Sequence, residues 1–417
     1  MKNEIIAGLD IGSTFVRLVV GQKSSDGSRV QIIGAIETPS SGINKGAVAS
    51  IEDATSAISA CLEKTERLVG LPITEVWTGI NGPHIKCDRS RGVVAVSKSN
   101  GEITPDDVKR TIEAARALSV PANYEILHVL PVRFSVDNQT DIKDPIGMSG
   151  VRLEAEVLII QGLTSQINNL TKSVYRTGID IEDLILSPLA AAEAVLTPKQ
   201  KELGAVLINI GASTTSLAVF EEGEVLHTAV LPLGSEHITS DIAIGLRCPI
   251  SLAEKIKIDH GTANPDLFAK KDDIDTSELG EEYDELTEPI SKKYLAEIIE
   301  ARVEEIMDKI DLELKKIDRS GLLPAGAFLI GGGAKLAGVT EVAKKKLRLP
   351  TSIGANRNAE TVIDKVNDIS FLTALGLVTW GSQFAGKKMG IEKKWPGAKA
   401  INESVNKIKG WFKSLIP

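Results

Sequence analysis

Cysteine is scarce in this 417-residue chain, with Cys61, Cys87 and Cys248 far apart and in no metal-ligand spacing. That pattern excludes a disulfide framework and a zinc knuckle, and it suits a reduced compartment with all three thiols in the core. No apolar run is long enough to span a bilayer. Met1 leads into Ile5 to Leu9 without a basic stretch or a small-residue cleavage site, so no signal peptide is expected. Positive charge is short as well: 48 Lys and Arg stand against 56 Asp and Glu, for a net charge of −8. The shortfall is uneven. From Lys387 onward eight lysines face only Glu392 and Glu403, which is +6, so residues 1–386 carry −14. An acidic body argues against nucleic acid as the main partner, because phosphate backbones need a clustered basic surface on the folded domain.

What is present begins with a repeated turn. Asp10-Ile11-Gly12-Ser13-Thr14 and Asn209-Ile210-Gly211-Ala212-Ser213-Thr214 are both flanked by strand-like sequence. A strand ending in an acid, a small-residue turn and a returning strand let N–H groups and hydroxyls close around phosphate while the acid faces a phosphate-bound metal. The second copy has asparagine where the first has its acid. Asparagine brings no negative charge to hold magnesium or align a nucleophile, so hydrolysis is expected to be slow or absent while binding persists. Ala212 and Ser213 further require that this turn keep to backbone conformations open to residues with a Cβ.

The repeat extends beyond the turns. Strands are predicted over Glu4 to Asp10, Thr14 to Gly21 and Arg29 to Glu37, with a hairpin at Ser24 to Gly27. A helix follows from the N-cap Ser50 to Gly70 and Pro72, with Ile51, Ala54, Ile58, Cys61, Leu62 and Leu68 on its apolar stripe. Gly204 to Ile210, Thr214 to Phe220 and Glu224 to Leu231 repeat the meander around the second turn. At 417 residues the chain exceeds what one core usually supports, so two duplicated α/β domains facing each other are expected. Phe328-Leu329-Ile330 running into Gly331-Gly332-Gly333 adds a glycine turn where the backbone could approach a flat ligand.

Between strand-like Glu75 to Ile80 and Glu156 to Gln161 lies an insertion whose own helix opens at Thr104 and Pro105, with Val108, Ile112, Ala115 and Leu118 as its stripe. Helices are read over Thr164 to Gly178, Pro188 to Leu196 and Leu286 to Ile317, with a strand over Ile181 to Ser187 and an acidic loop over Asp272 to Asp284. At the end of the chain Val405, Ile408, Trp411, Phe412, Leu415 and Ile416 recur at helical spacing beside Lys407, Lys409 and Lys413. That is the pattern of an amphipathic helix lying on an anionic membrane surface, tethered by a Gly-, Pro- and Lys-rich linker.

Turns, spacing and glycine strand occur in the order of the actin, sugar-kinase and DnaK-chaperone ATPase superfamily. Within it the chain resembles FtsA, the actin homologue of bacterial cell division. The resemblance is carried by Gly8 to Thr14, His128-Val129-Leu130-Pro131, Asp144 to Leu153, Ser240 to Leu246, Ala253 to Lys257 and the tail helix. It implies an actin-like ATPase fold with an inserted 1C-type α+β subdomain. The implied divisions are 1–83 and 163–202 in subdomain 1A around the 84–162 insertion, 203–240 and 309–357 in 2A around 241–308 as 2B, 358–384 returning to 1A, 385–400 a linker and 401–417 the membrane-targeting helix. Pro188 to Ala192 and Thr373 to Leu377 resemble the two interdomain connectors, where small residues let helices cross closely at a hinge. Carried over, the resemblance puts ATP phosphates at Gly12, Ser13, Thr14, Gly211, Ala212, Ser213 and Thr214, Mg2+ near Asp10, adenosine at Gly331, Gly332 and Gly333, and the base and ribose between Glu254 and Lys257. It further implies self-assembly into filaments on the cytoplasmic face of the plasma membrane, divisome contacts through the insertion, and FtsZ C-terminal peptide binding near Lys292, Lys293 and Arg302. The pilus protein PilM and small-molecule kinases share the superfamily architecture and give the alternative readings.

Overall fold

The computed structural model describes residues 5–23, 30–117, 121–269, 271–274, 289–361 and 363–384. The Ser24 to Gly27 hairpin, Leu118, most of the acidic Asp272 to Asp284 segment, Leu286, the 385–400 linker and the whole tail helix with its apolar and lysine positions lie outside the described residues.

Each half is built on the same sheet. In the first, Ile5–Ile11 pairs antiparallel with Phe15–Lys23, which pairs with Val30–Pro39; on its other side Ile5–Ile11 runs parallel to Glu75–Ile80, and that strand to Asp180–Leu186. In the second, Ala205–Ile210 pairs antiparallel with Thr215–Glu221 and then Glu224–Leu231, and parallel with Gly326–Ile330 and then Thr351–Ile353. The central strands read as nearly continuous apolar runs because both their faces are covered: Ala205, Val206, Leu207 and Ile208 are fully buried. Both turns therefore leave the carboxyl end of a central strand, beside the carboxyl end of a parallel neighbour, which is where ligands enter sheets of this kind.

Local signals set the elements close to where the sequence places them. Helix Ile51–Val69 starts where the Ser50 side chain accepts from Asp53 N–H and stops at Gly70, whose φ of 70° is the left-handed cap that glycine adopts freely. Strands Glu75–Ile80 and Glu224–Leu231 have the predicted bounds. The long helix differs: it spans Lys292–Lys316, capped by Ser291, because Ile290–Ser291 is committed to an antiparallel pair with Asp273–Ile274. It then runs unbroken through residues 308 and 309, so a 2B to 2A division there falls inside a helix.

The insertion is a four-stranded sheet in the order Ile85–Ala95, Arg152–Leu163, Tyr124–Val136, Gln139–Ile142, with helix Pro105–Arg116 on one face. Its other face meets the second half. There Arg89 donates to the Leu226 carbonyl at 3.2 Å, and Lys143 donates to Glu202 at 3.1 Å and to the Glu222 carbonyl at 2.8 Å. Beside this joint Glu224 has a buried carboxylate oxygen without a partner. Burial pushes its carboxyl up to about 7, against the pull of Lys143 and with the push of Glu202. The folded chain thus holds a proton that the unfolded chain releases near 4.5, and stability falls as pH rises through the window from 4.5 to 7. The expected loss is about 2–3 kcal/mol. Glu224→Gln should flatten this slope, measured as urea midpoints at pH 5 and pH 8.

Helices Ser187–Val195 and Leu372–Phe384 cross between the halves. Their residues Val195 and Leu375 share one apolar cluster with Val19 and Ile32 of the first sheet, Ala218 and Phe220 of the second, and Leu158 and Ile160 of the insertion. Cys61 is buried and Cys87 and Cys248 half-buried, all as free thiols. None of the described helices is long and apolar enough to cross a membrane.

Candidate functional site

The two turns close in the same way. Gly12 N–H donates to the Phe15 carbonyl at 3.0 Å, and Gly211 N–H to the Thr214 carbonyl at 2.8 Å. The same oxygens explain the glycines, since a Cβ would lie 2.8 Å from the first and 2.9 Å from the second. Asp10 pairs across its hairpin with Arg17, and Asn209 with Ser216, so the two occupy matching register positions. Neither Ala212 nor Ser213 takes a positive φ, as their side chains require.

Asp10 is half-buried, and burial pushes its carboxyl up to about 6 against the opposing charge of Arg17. It faces Gly79, where a Cβ would come within 3.5 Å of its oxygen and 3.0 Å of Ser187 Oγ. Asn209 is engaged differently: its Nδ2 donates to Thr373 Oγ1 at 3.2 Å, and its Oδ1 lies against Gly331, where a Cβ would sit 2.3 Å away. A residue that the sequence reading missed joins the halves. Asn81, just past strand Glu75–Ile80, donates to Thr214 Oγ1 at 3.4 Å, and its own Oδ1 is buried without a partner. Only the fold could reveal it, because 133 residues separate the two.

The three glycines serve different ends. Gly331 has a φ of 87°, in the left-handed region, and a Cβ on Gly333 would meet Ile210 at 2.4 Å. Gly332 is exposed with open space where its side chain would be, leaving a bare stretch of backbone facing outward. Lys257 is buried. Its ammonium donates to Thr239 Oγ1 at 2.7 Å and Glu254 at 2.6 Å, and Glu254 also accepts from Thr239. Helix Ser235–Leu246 is thereby locked to helix Ile250–His260.

The expected peptide-binding cations are not alike. Lys292 and Lys293 occupy the first turn of the long helix, half-buried. The guanidinium of Arg302 is taken up by Asp241, at 2.5 and 2.8 Å, and by Glu305 at 2.5 Å.

Among the described residues no group of three or more His, Cys, Asp or Glu could hold a metal by protein ligands alone. The cleft nonetheless fits a phosphate with its cation. It offers the Asp10 carboxylate, the buried and orphaned Asn81 Oδ1, and the Ser13 and Thr14 hydroxyls, which make no hydrogen bond with the described residues. A metal held through water and phosphate oxygens needs no cage of three side chains.

Comparison with known proteins bears on the family and the fold. Residues 82–161 match the family described as SHS2 domain inserted in FTSA, and residues 206–376 match the family Cell division protein FtsA. Cell division protein FtsA of Pseudomonas aeruginosa is 36% identical over 382 residues, covering 92% of this chain and 90% of that protein. That of Bacillus subtilis is 36% identical over 407 residues, covering 98% and 89%, and that of Escherichia coli K12 is 30% identical over 418 residues, covering 98% of each. Among solved structures, the PilM-PilN type IV pilus biogenesis complex superposes with a TM-score of 0.65 at 16% identity, over 90% of this chain and 98% of that one. MreB5 of Spiroplasma citri bound to ADP gives 0.52 at 12% identity, over 92% and 97%. At such identities the structural likeness shows the fold alone, an actin-like ATPase architecture carrying an SHS2 insertion. The relatives decide the rest: this chain belongs to the FtsA family of cell division proteins.

Proposed function

We propose that the chain is an ATP-binding, filament-forming adaptor that ties FtsZ polymers to the cytoplasmic face of the plasma membrane. The observation that carries the reading is the pair of matched turns, with Asn81 bridging from one half to Thr214 of the other across the cleft. Phosphates held between the turns would add contacts to both halves at once, so binding would favour one closed arrangement about the connector helices. Gly12, Ser13 and Thr14 would hold phosphate from one side, and Gly211 to Thr214 from the other. Asp10 would hold Mg2+ through water, Gly331 to Gly333 would receive the adenosine, and Glu254 and Lys257 would border it. The likeness to MreB5 bound to ADP supports a nucleotide in this cleft.

Lys292 and Lys293 remain candidates for an acidic FtsZ C-terminal peptide, whereas Arg302 would have to leave Asp241 to join them. The insertion offers the surface for other division proteins. Membrane attachment rests on the tail sequence, whose apolar positions each add about 1.5–3 kcal/mol on burial and whose lysines add about 1 kcal/mol each near an anionic leaflet. Display of many tails on one filament would raise avidity without new contacts.

Co-sedimentation with anionic vesicles tests the adaptor reading. The full chain is expected to pellet and to carry a fluorescent FtsZ C-terminal peptide with it, while a chain ending at Lys388 leaves both in the supernatant. Equal pelleting of the two chains would sink the membrane anchor, and a peptide left behind by the pelleted full chain would sink the FtsZ link. Turnover has its own test: phosphate release from ATP is expected to be slow in the wild type and to rise about tenfold or more in Asn209→Asp. A fast wild type would remove the role given to Asn209.

A further inference from the structure

The second turn is given a carboxylate from outside itself. Helix Ser235–Leu246 begins against it, with the N–H groups of Ser235 and Glu236 donating to the Gly211 and Ala212 carbonyls at 2.9 and 2.8 Å. Gly234 permits the approach, since a Cβ there would be 2.3 Å from the Ala212 oxygen. The Glu236 side chain folds back and accepts from Ser213 Oγ at 2.5 Å. Ser213 is 5% exposed, and Glu236 reaches it from an exposed position in the first turn of the helix.

A serine hydroxyl has one proton to give. Once Ser213 gives it to Glu236, its oxygen presents lone pairs on the remaining side. Lone pairs repel a phosphate oxygen and attract a cation or the hydrogens of a cation-bound water. The first turn has the opposite arrangement, with the charge on its strand at Asp10 and the hydroxyls of Ser13 and Thr14 free of protein partners among the described residues. Asn209, at the position matching Asp10, spends its amide on Thr373.

We infer that Glu236 is the positioning residue of the second turn: it supplies the negative charge that Asn209 lacks and turns Ser213 toward the magnesium of a bound nucleotide instead of toward its phosphates. This rests on the nucleotide reading above and changes the role of one residue within it. Space for a hydrated ion adjoins the pair. An open cleft of about 160 Å³ is lined by Ser213, Glu236, His237 and Ser240 from one half and by Asn44 and Lys45 from the other, room for several waters. His237 Nδ1 accepts from Gly234 N–H at 3.2 Å, which leaves its Nε2 as the second polar atom of the ring. Lys45 is exposed and has solvent to turn into.

The test is equilibrium binding of the fluorescent analogue mant-ATP to the full chain, in MgCl2 and again in EDTA. Wild type should bind more tightly with magnesium. In Glu236→Gln that magnesium-dependent gain should shrink about tenfold with little loss in EDTA, and Glu236→Asp should restore most of it. Ser213→Ala should show the same selective loss and add nothing further in combination with Glu236→Gln. Glu236→Gln weakening binding equally in both media, as a mere brace for the turn would, overturns the inference; so does an unchanged magnesium gain. A wild type that binds mant-ATP in neither medium overturns the nucleotide reading and the inference with it.

Discussion

Gly376→Ala is expected to lower the unfolding free energy by about 3 kcal/mol or more, a large share of the stability of an ordinary domain. Helix Leu372–Phe384 passes helix Ser187–Val195 so closely that a Cβ on Gly376 would stand 2.0 Å from the Ala190 carbonyl oxygen and 2.4 Å from its carbon. These are backbone atoms, which cannot rotate away as a side-chain tip could. Ala190, Ala191 and Ala192 are fully buried, as are Ala374 and Leu375, so nothing soft lies behind either helix to yield. Separating the helices would disturb more than their own contact. Gly8, on the strand leading to the first turn, lies under the same helix, where a Cβ would be 2.4 Å from the Ala374 oxygen. Thr373 at the head of that helix holds Asn209 of the second turn. The substitution should therefore weaken nucleotide binding along with stability. Urea unfolding followed by circular dichroism reads the first effect, and mant-ATP titration the second. An unchanged urea midpoint would mean that the helices do not cross at this distance.

The crossing is legible in part through the family resemblance, since runs of alanine and glycine in two helical stretches permit close approach but are by themselves ordinary helix packing. The sequence does not show which glycine meets which alanine, a matter of how two sheets far apart in sequence are set against each other. The same division runs through the molecule. Ser50, Thr104 and Gly70 act on neighbours within a few residues, and the helix ends they mark are legible. The repeated hairpins are legible too, because alternation and turn chemistry are local. The bonds that Asn81, Glu236 and Thr373 make escape the sequence because each joins residues 133, 23 or 164 positions apart. Lys257 shows what spacing alone leaves open. Glu-x-x-Lys on a helix is compatible with an exposed ion pair, yet helix Ser235–Leu246 lies over this one and turns it into a buried tie. The helical stripe predicted from Leu286 overshoots the start of the long helix, because Ile290 fits such a stripe as well as it fits the short strand it forms with Ile274.

Asp10→Asn should reduce the affinity for magnesium-bound ATP by about 100-fold, near 2.7 kcal/mol, while leaving affinity for metal-free ATP much closer to wild type. Asparagine is nearly isosteric, so the hairpin pair with Arg17 and the Gly12 turn should persist. What disappears is a negative charge held half-buried in the cleft. In the empty protein that charge is a burden, since burial disfavours it and only the nearby Arg17 offsets the effect. Arg17 is itself shared with Glu37 at 3.2 Å. Thermal denaturation without nucleotide should accordingly give Asp10→Asn a melting temperature equal to or above wild type, while the stabilisation that magnesium and ATP together give the wild type should fall in the variant to about that given by ATP alone. The two readouts move in opposite directions, which separates loss of a metal-facing charge from general damage to the fold. The comparison with Asn209→Asp is the sharper part. If the turns were equivalent halves of one clamp, removing the acid from the first and restoring it to the second would have effects of similar size on magnesium affinity. With Glu236 already beside the second turn, Asn209→Asp adds a second negative charge there and should change magnesium affinity by far less than Asp10→Asn does. Equal and opposite shifts in the two variants would show that position 209, and not Glu236, governs the charge of the second turn.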